Sequence, residues 1–285
     1  MEASTLSNLG VLSKYDGLLA QFYDQDHRWR NYAGQTQLIS SLFPKGVSKK
    51  IKVLELACGS GSHSIPLARA GFNVLGVDLS KELLKQANEK TKNKNLSVQF
   101  LQKDIFKLAQ ETNLHSQFDA LLLLGSTLSI QDIYSRFNEI LECASLLLKE
   151  GGFFVFDVVI GFNFRPISAK PLQYKTPKAT GALNIKGKKD LNKKTITYTY
   201  QWQIRDSALK VGTVPLGTVP TFRPLICQEV LSILQPNDIY LKIEPFHDQL
   251  ERFKVLSDYS LNKPYKKGDK NLVVVLRKKC IQSLK

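Results

Sequence analysis

Glu55, Gly59, Gly61 and Asp78 are the residues whose types and spacing point most directly to chemistry. They lie in Val53-Leu54-Glu55-Leu56-Ala57-Cys58-Gly59-Ser60-Gly61-Ser62 and in Gly76-Val77-Asp78-Leu79-Ser80. In the first segment an apolar run stops at an acidic residue and passes through small residues at alternate positions. A helix-like stretch, Ser62–Ala70, follows. Glycine permits backbone angles that a side chain forbids and lets a ligand touch the main chain. A helix opening there points free N–H groups at the same space. Asp78 ends a second apolar run, where a carboxylate can accept hydrogen bonds from both hydroxyls of a ribose. The pattern therefore reads as a nucleoside site. It is not a phosphate loop, because no Gly-Lys-Ser/Thr ending is present. It is not a pyrophosphate loop either, since Ala57 and Ser64 stand where that glycine order fails.

Such residues must be held by a framework, and the chain supplies one. Tyr15–Phe43 reads as two helices, with Leu18, Leu19 and Phe22, then Leu38, Ile39, Leu42 and Phe43, at helical spacing. Strands are predicted at Lys52–Ala57, Asn73–Asp78, Ser97–Lys103, Asp119–Leu124 and Phe153–Val159. Helices are predicted at Ser62–Ala70, Lys81–Lys90 and Ile133–Leu148. Alternation of this kind means an α/β fold, a parallel sheet with helices on both faces. Ligands of such sheets bind beyond the carboxyl ends of the strands, where Ala57, Asp78, Asp104 and Leu124 emerge. Beyond Val159 the pattern changes. Gly161–Asn192 has no clear period and reads as a long loop. Ile196, Tyr198, Tyr200, Trp202 and Ile204 then alternate with polar residues and share one face of a strand. Further strands are expected within Leu209–Val214 and Thr218–Ile226. A helix is expected at Gln228–Leu234, and a closing antiparallel pair at Tyr240–Pro245 and Asn271–Arg277.

At its glycine loop the sequence resembles the class I S-adenosylmethionine-dependent methyltransferases, whose first motif is acidic-x-Gly-x-Gly-x-Gly. Here it is Glu55-x-Ala57-x-Gly59-x-Gly61, a departure that keeps position 57 small. The likeness continues through Asp78 and Leu79, Gln102-Lys103-Asp104-Ile105, Phe118–Gly125 and Leu148-Lys149-Glu150-Gly151-Gly152, and covers Tyr15–Val159. It implies S-adenosyl-L-methionine as cofactor and S-adenosyl-L-homocysteine as product. It also implies that Asp78 holds ribose, that Asp104 faces the exocyclic amine of adenine and that Ile105 packs on the ring. Leu124 would begin the substrate-facing loop, and Leu148–Gly152 would form the turn before the fifth strand. The helical N-terminus and the late strands are similar to small-molecule N-methyltransferases of the glycine/sarcosine and amino-sugar type. The fold implied is a Rossmann-like, doubly wound, seven-stranded sheet. Residues 1–45 would form an N-terminal helical lid, 46–160 with 227–285 the core, and 161–226 an inserted loop and antiparallel sheet over the acceptor.

Composition narrows the alternatives. At 285 residues and 43% hydrophobic content the chain can bury one α/β core, and its apolar residues are too evenly spread for a membrane span. The first residues show no basic-then-apolar leader, so a cytoplasmic protein is expected. Cys58, Cys143, Cys227 and Cys280 are far apart and read as reduced thiols. No spacing suggests a metal site. A net charge of +15 keeps an RNA or other nucleic-acid methyltransferase in view. The lysines, however, are spread along the chain rather than interleaved with aromatics. The Lys186–Lys194 cluster reads as an exposed loop, and neither an Asn/Asp-Pro-Pro-Tyr/Phe segment nor a Pro-Cys nucleophile is present. The expected partner is a small molecule, handled by a monomer or homodimer.

Methyl transfer requires in-line alignment, exclusion of water and an acceptor that has lost its proton. Nitrogen is the expected acceptor, with an oxygen of a small metabolite as the alternative. Tyr15 and Tyr23 fall in the expected lid, where each either contacts the acceptor or packs a helix. His247 precedes Asp248, which could hold it as a general base, and Asp157 lies near the end of the fifth strand. Tyr198, Tyr200 and Trp202 either line the acceptor or form core beneath the inserted sheet. Trp29 and Tyr32 either touch the methionine end of the cofactor or pack, and His63, directly after the glycine loop, either caps or packs or serves in catalysis.

Overall fold

Apolar runs bounded by glycine and polar turns become the strands of a central sheet. The computed structural model describes residues 17–44, 46, 51–161, 170–177, 179–206, 223–257, 259 and 263–280. Its strands are, in chain order, β1 (Lys52–Leu56), β2 (Asn73–Asp78), β3 (Val98–Gln102), β4 (Phe118–Leu123), β5 (Leu148–Val159), β6 (Leu172–Lys175), β7 (Ala179–Asp190), β8 (Thr195–Asp206), β9 (Arg223–Ser232), β10 (Leu250–Ser257) and β11 (Asn271–Lys278). Its α-helices are α1 (Tyr23–His27), α2 (Tyr32–Ser41), α3 (Ser64–Arg69), α4 (Lys81–Thr91), α5 (Gln131–Ser135), α6 (Phe137–Leu147) and α7 (Pro236–Ile243). The chain divides into two units, 1–29 with 165–231, and 30–164 with 232–285.

The larger unit, 30–164 with 232–285, carries the expected seven-stranded sheet in the order β10-β11-β5-β4-β1-β2-β3. β1 to β5 are mutually parallel, β11 runs antiparallel to β5, and β10 antiparallel to β11. Period-two alternation sorts each strand's residues onto opposite faces. Leu54, Leu56, Leu121, Leu123, Phe154 and Phe156 join α6 and α7 in one core. Val53, Ala120, Leu122, Phe153 and Val155 join residues of α2 and α3 in the other. Apolar burial on both faces is why these strands read as continuous hydrophobic runs. β2 and β4 leave β1 on opposite sides, a topological switch point at the carboxyl end of β1.

The smaller unit, 1–29 with 165–231, is built on a four-stranded sheet in the order β6-β7-β8-β9. Tyr198, Tyr200 and Trp202 are buried, each no more than 3% exposed. Phe22, at the end of the 3-10 turn Gly17–Phe22, stacks on Trp202 at 5.2 Å and 11°. Tyr174 donates its hydroxyl to the buried Asp26 carboxylate at 2.5 Å. The Gln25 side-chain oxygen accepts from the Lys175 N–H.

Several expectations are corrected. Gly161–Asn192 is not one loop, because β6 and β7 lie within it and β7 pairs with β8 from Ala179↔Asp206 to Asp190↔Thr195. Its inward positions begin with the small residues Ala179 and Gly181, so the alternation was hard to see. A Cβ on Gly181 would stand 3.0 Å from the Phe22 ring, which explains the glycine. Gln228–Leu234 is largely strand β9 rather than helix. Tyr240–Pro245 is largely helix α7, begun by Pro236 and by the Asp238 carboxylate accepting from the Gln235 N–H at 2.8 Å. Its place in the antiparallel pair is taken by β10. Leu148–Gly152 belongs to β5 rather than to a turn. The strands expected within 209–214 and the first part of 218–226 lie outside the described residues. The four cysteines are free, three of them buried, and no described helix is long and apolar enough to cross a membrane.

Gly76 in β2 sits beneath the glycine loop, and a Cβ there would meet Phe100 at 2.8 Å and the Cys58 sulfur at 2.9 Å. Gly76→Ala should therefore destabilise the fold by about 1–3 kcal/mol. A urea-unfolding midpoint identical to that of the parent would show that Phe100 and Cys58 give way freely.

Candidate functional site

The loop from β1 to α3 folds back on itself through left-handed turns. Ala57, Gly59 and Gly61 all have positive φ, at 54°, 55° and 78°. Glycine adopts this conformation readily; Ala57 does so at some strain. The Cys58 N–H donates to the Val77 carbonyl and the Gly61 N–H to the Cys58 carbonyl, both at 3.0 Å. A side chain on Gly61 would lie 2.9 Å from the Phe100 ring, so only glycine fits this tight approach.

Asp78 closes the loop from the next strand. One carboxylate oxygen accepts from the Gly59 N–H at 2.7 Å, the other from the Ser80 N–H at 2.8 Å. The Leu79 N–H also faces this carboxylate; a carboxylate has about four acceptor positions, so the group is not saturated by its own chain. Burial pushes the Asp78 carboxyl above its ordinary range, opposed by the N–H groups of Ser80 and Gly59, and Glu55 adds an upward push. Leu79, the neighbouring residue, presents an apolar side chain that is 64% exposed. A nucleoside has the matching parts, a diol for the carboxylate and an apolar face for the side chain.

Glu55 behaves differently. It is only 2% exposed, and both of its oxygens are engaged within the chain. One is bonded to His63 Nδ1 at 3.0 Å, and the other accepts from the Ser64 hydroxyl. His63 Nε2 meets the Gln35 side-chain oxygen on α2 at 2.6 Å, and Tyr32 lies edge-on to the imidazole, ring centroids 4.9 Å apart.

The same edge of the sheet carries Asp104, Ile105 and Leu124, which follow β3 and β4. Asp104 accepts from the Phe106 N–H at 3.0 Å, and Ile105 and Leu124 are buried. Asp157, near the end of β5, is 2% exposed. Both its oxygens accept from the Ser126 N–H at 3.0 Å, and one also accepts from the Ser126 hydroxyl at 2.9 Å. These bonds hold Ser126 at a φ of 60°. Arg30 donates to the Gly125 carbonyl at 2.9 Å. The Tyr259 hydroxyl is buried beside the Asp157 carboxylate and the Gly125 backbone without a well-aligned hydrogen bond to either, and burial, then Asp157, pushes it well above its ordinary range.

Glu55, Ala57, Gly59, Gly61, Asp78, Leu79, Asp104, Ile105, Leu124 and Asp157 are thus brought to one sheet edge. His247 is not. β10 runs parallel to β5 and begins three residues after His247, so His247 stands at the opposite edge. The expectation depended on a strand at Tyr240–Pro245, which is largely helical. His247 is exposed, with Nε2 3.2 Å from Asp248 and Nδ1 3.0 Å from the Glu244 carbonyl. Tyr23, Tyr198, Tyr200 and Trp202 belong to the smaller unit. Tyr23 opens α1 with its ring 4.4 Å from His27. Tyr198 and Tyr200 are buried, and the Tyr200 hydroxyl donates to Glu229 at 2.8 Å. Trp202 is covered by Phe22. Trp29 is 66% exposed, and Tyr15 lies outside the described residues.

Sequence reasoning overlooked Gln35, Ser126 and Tyr259, and it read His63 as a cap or packing residue. A buried-polar pattern on α2 was the available signal for Gln35. Ser126 offered none, since a left-handed serine has no sequence mark.

Comparison with known proteins fits this geometry. Residues 53–152 match the family model described as methyltransferase domain. The putative methyltransferase YqeM of Bacillus subtilis (strain 168) is 33% identical over 159 residues, 55% of this chain and 58% of that protein. A ubiquinone biosynthesis O-methyltransferase of Rickettsia akari (strain Hartford) is 27% identical over 107 residues, 33% of this chain and 43% of its own. A glycine/sarcosine N-methyltransferase of Halorhodospira halochloris is 29% identical over 143 residues, 50% of this chain and 49% of its own. The chain spans about half the length of these curated relatives. A solved S-adenosylmethionine-dependent methyltransferase from Clostridium acetobutylicum ATCC 824 superposes with a TM-score of 0.66 at 20% identity, covering 92% of this chain and 98% of that one. Residues 53–152 thus match a methyltransferase domain, and the larger fold around them is shared with that solved methyltransferase.

Proposed function

We propose that the chain transfers a methyl group from S-adenosylmethionine to a nitrogen of a small molecule. The observation that carries the reading is Asp78, a half-buried carboxylate at a parallel-strand end whose acceptor positions are not all filled by the chain, next to a loop of left-handed small residues. When bound, S-adenosylmethionine supplies an electrophilic methyl on a cationic sulfur. In this reading Asp78 takes the ribose hydroxyls, and Gly59 and Gly61 let the main chain approach. Asp104 receives the adenine amine, while Leu79 and Ile105 offer apolar contact to the ring. Asp157 fixes the Ser126 turn beside Leu124 and so shapes the acceptor side of the sheet without itself taking a proton. Nitrogen is favoured by the glycine/sarcosine relative. The ubiquinone O-methyltransferase relative supports an oxygen acceptor as the second reading.

Asp78→Ala should weaken S-adenosylmethionine binding by about 1–3 kcal/mol, the loss expected when buried hydroxyls go unpaired. Because burial raises the Asp78 carboxyl, it takes up a proton at a higher pH than an ordinary carboxylate. Cofactor affinity should therefore fall on mild acidification in the parent and not in Asp78→Ala. Calorimetry across pH reads both effects, and an unchanged affinity in the variant would remove Asp78 from the site.

Asp157→Asn places an amide against the Ser126 N–H and should lower stability by about 1–3 kcal/mol. The pH–rate profile of the folded fraction should keep its shape. Loss of the acidic limb, where a base must shed its proton to act, would instead make Asp157 the general base.

A turnover screen across amines, amino acids, guanidines and amino sugars, with hydroxyl acceptors and RNA as further arms, tests the reaction class. Methylated amines are the expected products. Turnover on hydroxyl acceptors alone would select the oxygen reading, and turnover on RNA alone would overturn the small-molecule one.

A further inference from the structure

His63 lies outside every role assigned above, yet it is 7% exposed and both of its ring nitrogens are engaged. It occupies the N-cap position of α3, but its side chain makes no capping bond to that helix. Its bonds are lateral, from Glu55 at the end of β1 to Gln35 on α2. Gln35 is 6% exposed and Ser64 fully buried, so the whole row is shut off from water. Buried polar groups in a fully connected row fix geometry well, because any displacement leaves one of them unsatisfied.

We propose that His63 is a positioning residue for the cofactor loop, a bridge that sets the β1–α3 turn through Glu55 and ties it to α2 through Gln35. The proposal rests on reading that loop as an S-adenosylmethionine site. Glu55 is shielded from a ligand by its burial, at 2% exposed, and is bonded to His63 and Ser64. What Glu55 can do is hold the two ends of the turn in place, β1 from its own backbone and α3 through residues 63 and 64. Gly59 within that turn is the residue that reaches Asp78.

The test compares His63→Asn, Gln35→Leu and the double variant by calorimetry with S-adenosylmethionine and, separately, with S-adenosylhomocysteine, alongside steady-state kinetics and unfolding. His63→Asn should raise Kd for both ligands roughly tenfold, the range of one lost charge-assisted hydrogen bond. Gln35→Leu should raise it by less. The double variant should be no worse than His63→Asn, because both changes break the same bridge. The kinetic loss should fall on KM for the cofactor rather than on kcat. Unchanged Kd in a folded variant or additive losses would each overturn the proposal. Gln35→Leu keeps the test open if His63→Asn does not fold. A parent chain that binds neither ligand would overturn the cofactor site itself, whereas a parent that binds both with variants that bind equally well would overturn only the role of His63.

Discussion

A carboxylate buried to 2% exposure at the end of a central parallel strand is the constraint around which the site is organised. An isolated charge in such a place is strongly unfavourable, and it persists only when hydrogen-bonded or paired. Glu55 meets the requirement with His63 and Ser64, residues eight and nine positions further along. The intervening chain must therefore turn back within a few residues, which explains the positive φ at Ala57, Gly59 and Gly61. That return path carries the Gly59 N–H to Asp78 and so joins the ends of β1 and β2. The small residues and the buried acid are two sides of one geometrical demand.

How legible this was depended on which force shaped each element. The centre of the larger unit's sheet was readable because strands such as β1, β4 and β11 are buried on both faces and appear as apolar runs. β2 was placed at the residues observed, and β1, β3 and β4 to within a residue at either end. The glycine loop was readable because positive φ selects residue type. The β6–β9 sheet was less so. β7 carries lysines outward and small residues inward, and those small residues answer to Phe22, a partner distant in sequence. α7 was misread because Ile239, Tyr240 and Ile243 favour strand, while Pro236 and the Asp238–Gln235 bond decide for helix. That local error moved β10 along the chain and His247 to the wrong edge of the sheet.

The aromatic face of β8 shows why periodicity could not choose between core and wall. Strict alternation predicts that Tyr198, Tyr200 and Trp202 share a side and says nothing of what covers them. Phe22 stacked on Trp202, with Tyr174 bonded to Asp26, gives that side an interior of its own. Trp202 Nε1 finds no acceptor among the described residues. Burial of a large ring outweighs one unsatisfied donor, since an indole contributes more in apolar area than a single N–H forfeits.

The acidic groups at the carboxyl edge of the sheet divide by what their oxygens already hold. Glu55 and Asp157, both 2% exposed, are taken up by their own loops, one through His63 and Ser64 and the other through Ser126. Each stabilises a left-handed turn. Asp78 is less deeply buried and takes the N–H groups of Gly59 and Ser80, with that of Leu79 also facing it, and Asp104 takes one N–H from Phe106. Asp78 stands at the end of β2 and Asp104 just past the end of β3, and because β2 and β3 are adjacent these two carboxylates fall along one side of the switch point. The other side, beyond β4, holds the Asp157–Ser126 turn with Arg30 over Gly125. The chemistry of the two sides differs because one presents unfilled acceptors and the other a turn already saturated by its own chain.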